Sequence, residues 1–355
     1  MKHVLVGMSG GVDSAVCAYI LKQEGWDVTG VTLRTWESSG PNVNRCCEID
    51  DAADACRKIG IPFHSFNASG DFKEKVITPF IEEYLCGRTP NPCIVCNRFV
   101  KWEKLLYHMR VLNADMIATG HFARIVKKDN GRFAVAASEH SAKDQSYMLW
   151  KLSQEQLSKT IMPLWNMTKE EVRKVAASAG LSVADKPDSQ EICFIPDDDH
   201  ARFITENHDG PAAPEGDFVD VFGNVLGRHK GIINYTVGQR KGLGIALGRP
   251  VFVKCIDACS NTVVLADDED LYGRTVICKD INYMGIECLA KGESIRCTAK
   301  IRYHHAAQPA ICHIEGDRLV IEFDEPVRAA APGQSAVLYD HDGCIICGGI
   351  IDDNK

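Results

Sequence analysis

Apolar and polar positions follow two different rhythms in the first half of the chain. "HVLVG" (3–7) is a short apolar run, and "SAVCAYILKQEG" (14–25) carries apolar residues at helical spacing and stops at Gly25. The pair then repeats. "DVTGVTLRTW" reads as a second strand, "EIDDAADACRKIG" as a helix stopped by Gly60, and "IPFHSFNA" as a third strand. "DFKEKVITPFIEEYLCG" reads as a helix with one interior proline, Pro79, and "DMIATGH" as another buried strand. Such alternation predicts an α/β domain on a parallel sheet. "VKKDNGRFAVA" adds an Asn-Gly hairpin signal. "TKEEVRKVAASAG" opens on a Thr168…Glu171 capping box and closes at Gly180; it is the last helix the pattern predicts.

Near residue 200 the rhythm changes. "HDGPAAPEGDFVD" has the Pro/Gly content of a linker. Short alternating segments follow: "PVFVKCID", "NTVVLA", "RTVICKDINYMG", "SIRCTAKIRYH" and "RLVIEFDEPVRAAAPGQSAVLYD". They predict β-rich accessory domains, at least one a barrel or sandwich. The expected organisation is an α/β domain over 1–200, a small central β-rich domain over 201–274 and a C-terminal β-barrel domain over 275–355. The second break is placed near Tyr272–Ile281.

Composition narrows the class. The 355 residues, 45% apolar and 25% charged, suit an ordinary globular protein. No apolar run approaches a membrane span, and the apolar part of "MKHVLVGMSGG" is too short for a signal peptide. The net charge of −8 argues against non-specific coating of nucleic acid but leaves room for a local basic face. Sixteen cysteines spread along a chain without an export signal point to a reducing, cytoplasmic setting, where most are small buried hydrophobes.

The first strand and first helix are joined by "GMSGGVDS" (7–14). Glycines there expose backbone N–H groups at a helix start, which binds anions. A Walker loop needs Lys-Ser/Thr after its second glycine, and the dinucleotide fingerprint needs G-x-G; Val12-Asp13-Ser14 and the adjacent Gly10-Gly11 satisfy neither. A tight turn alone would explain the glycines, but not Ser9, Asp13 and Ser14 beside them. Cys93 and Cys96 form a C-x-x-C in a loop ahead of the helix "FVKWEKLLYHMR", which places Cys96 near a helix N-terminus, where thiolates are favoured. Redox and metal uses of such a pair are comparably plausible on spacing alone. Cys344 and Cys347 in "DGCIICGGI" read as packed strand cysteines. Cys46-Cys47 lies in a polar loop, and "GLGIALG" (242–248) reads as turns and strand edges.

"SGGVDS" resembles the pyrophosphate-binding PP-loop of ATP pyrophosphatases. Together with "TPNPCIVCN", "ATGHFARI", "KDQSYML", "DSQEICFI" and "YTVGQRKGLGI", it is similar to the tRNA-specific 2-thiouridylases. The matches keep family order from residue 7 to about 245, and "KIRYH" and "PGQSAVLY" extend them to near 340. The resemblance implies a Rossmann-like PP-loop domain. It also implies ATP-dependent 2-thiolation of the anticodon wobble uridine, with adenylylation of the 2-carbonyl and release of AMP and pyrophosphate. By that resemblance Gly7, Met8, Ser9, Gly10, Gly11, Val12, Asp13, Ser14, Leu33 and Gly120 contact ATP, which comes with Mg²⁺. Asn91, Pro92, Cys93, His121, Lys143, Asp144, Gln145, Arg302, Tyr303 and Gln334 contact tRNA. Cys96 is the nucleophile, and Cys193 receives a persulfide from a cysteine desulfurase or sulfur-relay protein. In the disulfide version of the reaction, Cys96 pairs with Cys193. Arg240 and Lys241 offer phosphate contacts in a basic glycine loop.

One position departs from the family: many members have aspartate where this chain has Cys93. With the carboxylate gone, Cys93, Cys96 and Cys193 become candidate ligands of a labile 4Fe–4S cluster whose free iron binds sulfide. Two other classes stand beside this reading. One is a PP-loop amide-forming synthetase acting on a small molecule, which needs no cysteines. The other is a non-catalytic iron–sulfur or RNA-binding protein.

Overall fold

The computed structural model describes residues 2–36, 48–140, 143–187, 192–211 and 213–352. Cys46, Cys47 and the "DSQE" of the family-like stretch 188–195 lie outside the described residues.

The chain alternates strand and helix as expected: β1 (His3–Gly7), α1 (Val12–Gln23), β2 (Asp27–Arg34), α2 (Ile49–Ile59) and β3 (Phe63–Asn67). The long helix α3 (69–85) accommodates Pro79 by placing a π turn, Lys73–Ile77, just before it. Helix α4 (92–111) contains a second π turn at Asn97–Lys101. Then come β4 (Met116–Ala118), the hairpin β5 (Ala123–Lys127) and β6 (Phe133–Ala137), α5 (Gln154–Ser158), β7 (Thr160–Ile161) and α6 (Lys169–Ser178). Strand order β3-β2-β1-β4-β7, parallel throughout, makes this a Rossmann-like open sheet. The Thr168–Glu171 capping box forms as the sequence indicates. Helix α7 (His200–Asn207), which the periodicity did not indicate, starts on the Asp199 side chain accepting from Arg202 N and buries Phe203 and Ile204.

Two all-β units follow. The expected linker already contains β8 (Gly216–Val219), which joins β9 (Val225–His229), β10 (Phe252–Asp257) and β11 (Thr262–Ala266) in a sheet ordered β10-β11-β8-β9. Strands β12 (Tyr272–Tyr283), β13 (Ser294–Lys300), β14 (Gln308–Glu315), β15 (Arg318–Arg328), β16 (Ser335–Tyr339) and β17 (Ile345–Ile351) close into an antiparallel barrel. Cys344 and Cys347 are buried at and in β17, as packed residues. Among the described residues, no helix is long and apolar enough to cross a membrane.

The barrel is not a separate bead. Val337, Tyr339 and Ile345 share one apolar cluster with Tyr147, Leu149 and Trp150 of the α/β domain. Trp150, 0% exposed, donates from Nε1 to Ser335 Oγ at 3.0 Å, and its ring lies where a Cβ on Gly348 would stand 2.6 Å away. Tyr147 OH donates to Ser335 O at 2.8 Å, and Asn282 Nδ2 to Trp150 O at 2.7 Å. Trp150→Ala is therefore expected to cost about 3–5 kcal/mol, the range for emptying a buried aromatic site, measured as a lowered urea midpoint. A loss under about 1 kcal/mol would show that the seam does not hold the domains.

Candidate functional site

The turn from β1 to α1 is built to keep its polar groups facing outward. Gly10 adopts φ +81°, and a Cβ there would stand 2.5 Å from Glu48 O, so only glycine fits. Gly11 is the helix N-cap without a side-chain acceptor, which leaves the first-turn N–H groups available to an anion. Ser14 Oγ donates to Gly11 O at 3.0 Å and accepts from Ser9 N at 3.2 Å, bracing the turn from inside. Val12 is buried beneath it. Gly120, just past β4, presses on the same helix start: a Cβ there would sit 2.6 Å from Asp13 C and 2.8 Å from Ser14 N.

A cavity of about 220 Å³ opens over this turn at the carboxyl ends of the strands, where open α/β sheets hold their ligands. Gly7, Met8, Ser9, Asp13 and Ser14 form one wall, Val31, Leu33 and Thr35 another, and Lys101, Leu105, Thr119, Gly120, His121 and Gln145 the rest. Gln145 is fixed by accepting from Phe122 N at 3.0 Å. His121 Nδ1 lies 2.9 Å from Thr119 Oγ1, and its ring packs 5.4 Å from Trp102. Desolvation first, and the positive Lys101 second, pull its pKa from 6.5 to about 3, so it is neutral in the working range.

Cys93 and Cys96 occupy a helix and not a loop. Asn91 caps α4, its Oδ1 accepting from Cys93 N at 3.2 Å, and Pro92 takes the first helical position. The N-terminal place expected for Cys96 therefore belongs to Cys93, while Cys96 is 5% exposed one turn further in. Cys193 is half-buried in a turn closed by Ile195 N to Ile192 O at 2.8 Å, beside Phe194, whose ring meets Phe72 and Phe80 edge-on. Cys96 and Cys193 both pack into one apolar cluster. Among the described residues, no group of three or more His, Cys, Asp or Glu side chains is placed to hold a metal ion.

The residues expected at tRNA divide. His121 and Gln145 face the cavity. Asp144 is buried and accepts from Ser138 N at 3.1 Å and Ser146 Oγ at 2.8 Å, while Lys143 N donates to His140 O at 3.1 Å. Arg302 Nη2 donates to Val237 O at 2.9 Å and Ala329 O at 2.6 Å, bracing the barrel against the central unit. Tyr303 is half-buried; its phenol is raised by burial, then by the nearby Asp144 carboxylate. Gln334 Nε2 donates to Thr89 O at 2.8 Å.

Two lysines escaped sequence reasoning. Lys169, at the start of α6, grips Asp13 with Nζ 2.7 and 2.9 Å from its carboxylate oxygens. Lys186 reaches Gly10 O at 3.2 Å and Asp51 at 2.7 Å, and also pairs with Glu48. Both arrive from more than a hundred residues away, so spacing carries no signal of them; the capping box before Lys169 marks only the helix.

Two outcomes follow from this geometry. Gly120→Ala should weaken ATP binding by about 10-fold or more, the equivalent of overpacking a fitted contact, with unchanged circular dichroism; calorimetric titration reads it. His121 binds its proton in the unfolded chain near pH 6.5 but not in the fold until about 3, so it withdraws stability as pH falls through that window. His121→Asn should flatten the acid arm of the stability–pH curve there, as followed by urea unfolding.

Comparison with known proteins agrees with this architecture. Residues 2–197 match the family model described as "tRNA methyl transferase HUP domain", 203–267 the "tRNA methyl transferase PRC-barrel domain" and 273–351 the "Aminomethyltransferase beta-barrel domain". The tRNA-specific 2-thiouridylase MnmA of Lachnoclostridium phytofermentans is 50% identical, over 98% of this chain and 99% of its own. Those of Clostridium perfringens and Clostridioides difficile are each 47% identical, over 99% of this chain and 98% of theirs. With identity at that level over nearly the whole length of both chains, the chain belongs to the tRNA-specific 2-thiouridylase family.

Proposed function

We propose that the protein activates the 2-carbonyl of a tRNA wobble uridine with ATP and replaces its oxygen with sulfur. The observation that carries this reading is one helix. Lys101 and Leu105 of α4 line the cavity over the phosphate-binding turn, and Cys96 lies five residues before Lys101, about 7–8 Å along the helix axis. Nucleotide activation and sulfur chemistry are thereby within a base's reach of each other.

ATP enters as its magnesium complex, the cation offsetting phosphate charge, and its phosphates rest on the 7–14 turn. Asp13 and Lys169 hold opposite charges at that turn and orient the leaving pyrophosphate. The tRNA presents its flipped uridine, since chemistry on a base requires unstacking it. The 2-carbonyl oxygen attacks the α-phosphate, pyrophosphate leaves, and the base carries AMP. A cysteine desulfurase or relay protein has loaded Cys193 as a persulfide, whose terminal sulfur attacks C2 of the base. Cys96 thiolate then attacks Cys193 Sγ, closing a Cys96–Cys193 disulfide; the C2–O bond breaks and AMP departs with the oxygen. A dithiol reductant returns the disulfide to two thiols. This route uses two of the three cysteines. It also leaves Cys93, at the start of the helix dipole, as a third thiol able to tune Cys96.

Cys96→Ser and Cys193→Ser should each abolish thionucleoside formation in tRNA while retaining ATP binding. Under single turnover without reductant, a Cys96–Cys193 disulfide should appear in step with thiolated tRNA. Retained thiolation in both serine variants would return the amide-forming synthetase reading. Product formed with all thiols intact, together with iron and acid-labile sulfide in anaerobic protein, would favour the cluster.

A further inference from the structure

We infer that the C-terminal barrel sets the position of the cysteine helix through the strap at residues 88–91, with Gln334 as a positioning residue. The strap joins the end of α3 to the N-cap of α4, and the barrel loop 331–334 takes both backbone polar groups of Thr89. Thr89 N donates to Pro332 O at 2.8 Å, and Gln334 Nε2 donates to Thr89 O at 2.8 Å. Gly333, at φ +90°, lies so close that a Cβ would stand 2.9 Å from Thr89 N and 3.1 Å from its O. That loop is itself anchored to the last strand: Gly333 N donates to Ile351 O at 2.9 Å, and Ile351 N to Gln334 O at 2.7 Å.

Arg88 fastens the strap a second time. It is buried, with Nε on Glu83 at 2.7 Å, Nη1 on Asp352 at 3.0 Å and Nη2 on Ile351 O at 3.2 Å. Asp352 also takes Lys279 at 2.9 Å and Arg318. Burial opposes its charge, yet these three cations hold its carboxyl well below the usual range. Two residues beyond Thr89, Asn91 accepts from Cys93 N and Pro92 locks the first helical turn. A displaced strap therefore moves Cys93 and Cys96 together against a cavity whose floor belongs to β1 and α1. Gln334, related by resemblance to tRNA contact, thus has work to do before any tRNA arrives.

The inference builds on the sulfur role of Cys96, but its test does not. In full-length protein without tRNA, alkylation of Cys93 and Cys96 by iodoacetamide is followed by peptide mass spectrometry from about pH 6.5 to about 9.5, the thiol range. Gln334→Glu keeps the side chain's size and loses the N–H donor; Gln334→Ala loses both. Each should speed alkylation of one or both cysteines by about 2- to 10-fold, the span that one intramolecular hydrogen bond commands, and displace the pH profile. Each should also lower kcat for thiolation at saturating tRNA. Alkylation profiles matching the unsubstituted protein in both variants overturn the inference, whether or not tRNA binding weakens. Thiolation surviving in Cys96→Ser would sink the proposed function alone.

Discussion

The structure depends most on the satisfaction of one buried carboxylate. Asp144 sits between the α/β domain and the barrel, accepting from Ser138 N, Ser146 N and Ser146 Oγ, and facing Lys300 of β13 at 3.4 Å. A buried charge left without these partners would cost several kcal/mol, so the hairpin, the 144–150 segment and the barrel must come together as one unit. Once they do, Ser146 reaches Tyr339 OH, Tyr147 and Trp150 reach Ser335, and Met148 O accepts from Asn97 Nδ2 in α4. The seam and the cysteine helix therefore share a single scaffold.

That scaffold explains why the accessory barrel sits so close to the chemistry. The glycine turn belongs to β1 and α1, but the cavity above it is completed by Lys101 from α4 and Gln145 from the 144–150 segment. Gln145 is held by Phe122, and α4 is tied to the 144–150 segment through Asn97 Nδ2 and Met148 O. Lys169 and Lys186 put two cations beside a turn that has none of its own.

Much of this was legible in the chain. The alternation of periods predicted the parallel sheet, the Asn130-Gly131 pair the hairpin, and Thr168–Glu171 a helix start, because each is a local consequence of side-chain direction or turn chemistry. The glycine turn and the C-x-x-C were equally visible. Two local signals were misread. Asn91-Pro92 is a helix start that brings Cys93 into the first turn, and Asp199 caps a helix too short and mixed to show a period. Asp144 and Arg302 look like surface contacts in sequence; the structure buries Asp144 and half-buries Arg302, because each is tied across a domain boundary, Asp144 to Lys300 and Arg302 to Val237 O.

The sequence by itself determined the elements, the glycine turn and the thiols available, since these follow from residue type and near-neighbour spacing. Tertiary structure alone decided which charges meet. Asp13 with Lys169, Asp144 with Lys300 and Arg88 with Asp352 are separated by 156, 156 and 264 positions. No periodic pattern encodes such pairs. They arise because burying a charge is tolerable only opposite another, and folding supplies the opposite charge from wherever the chain happens to return.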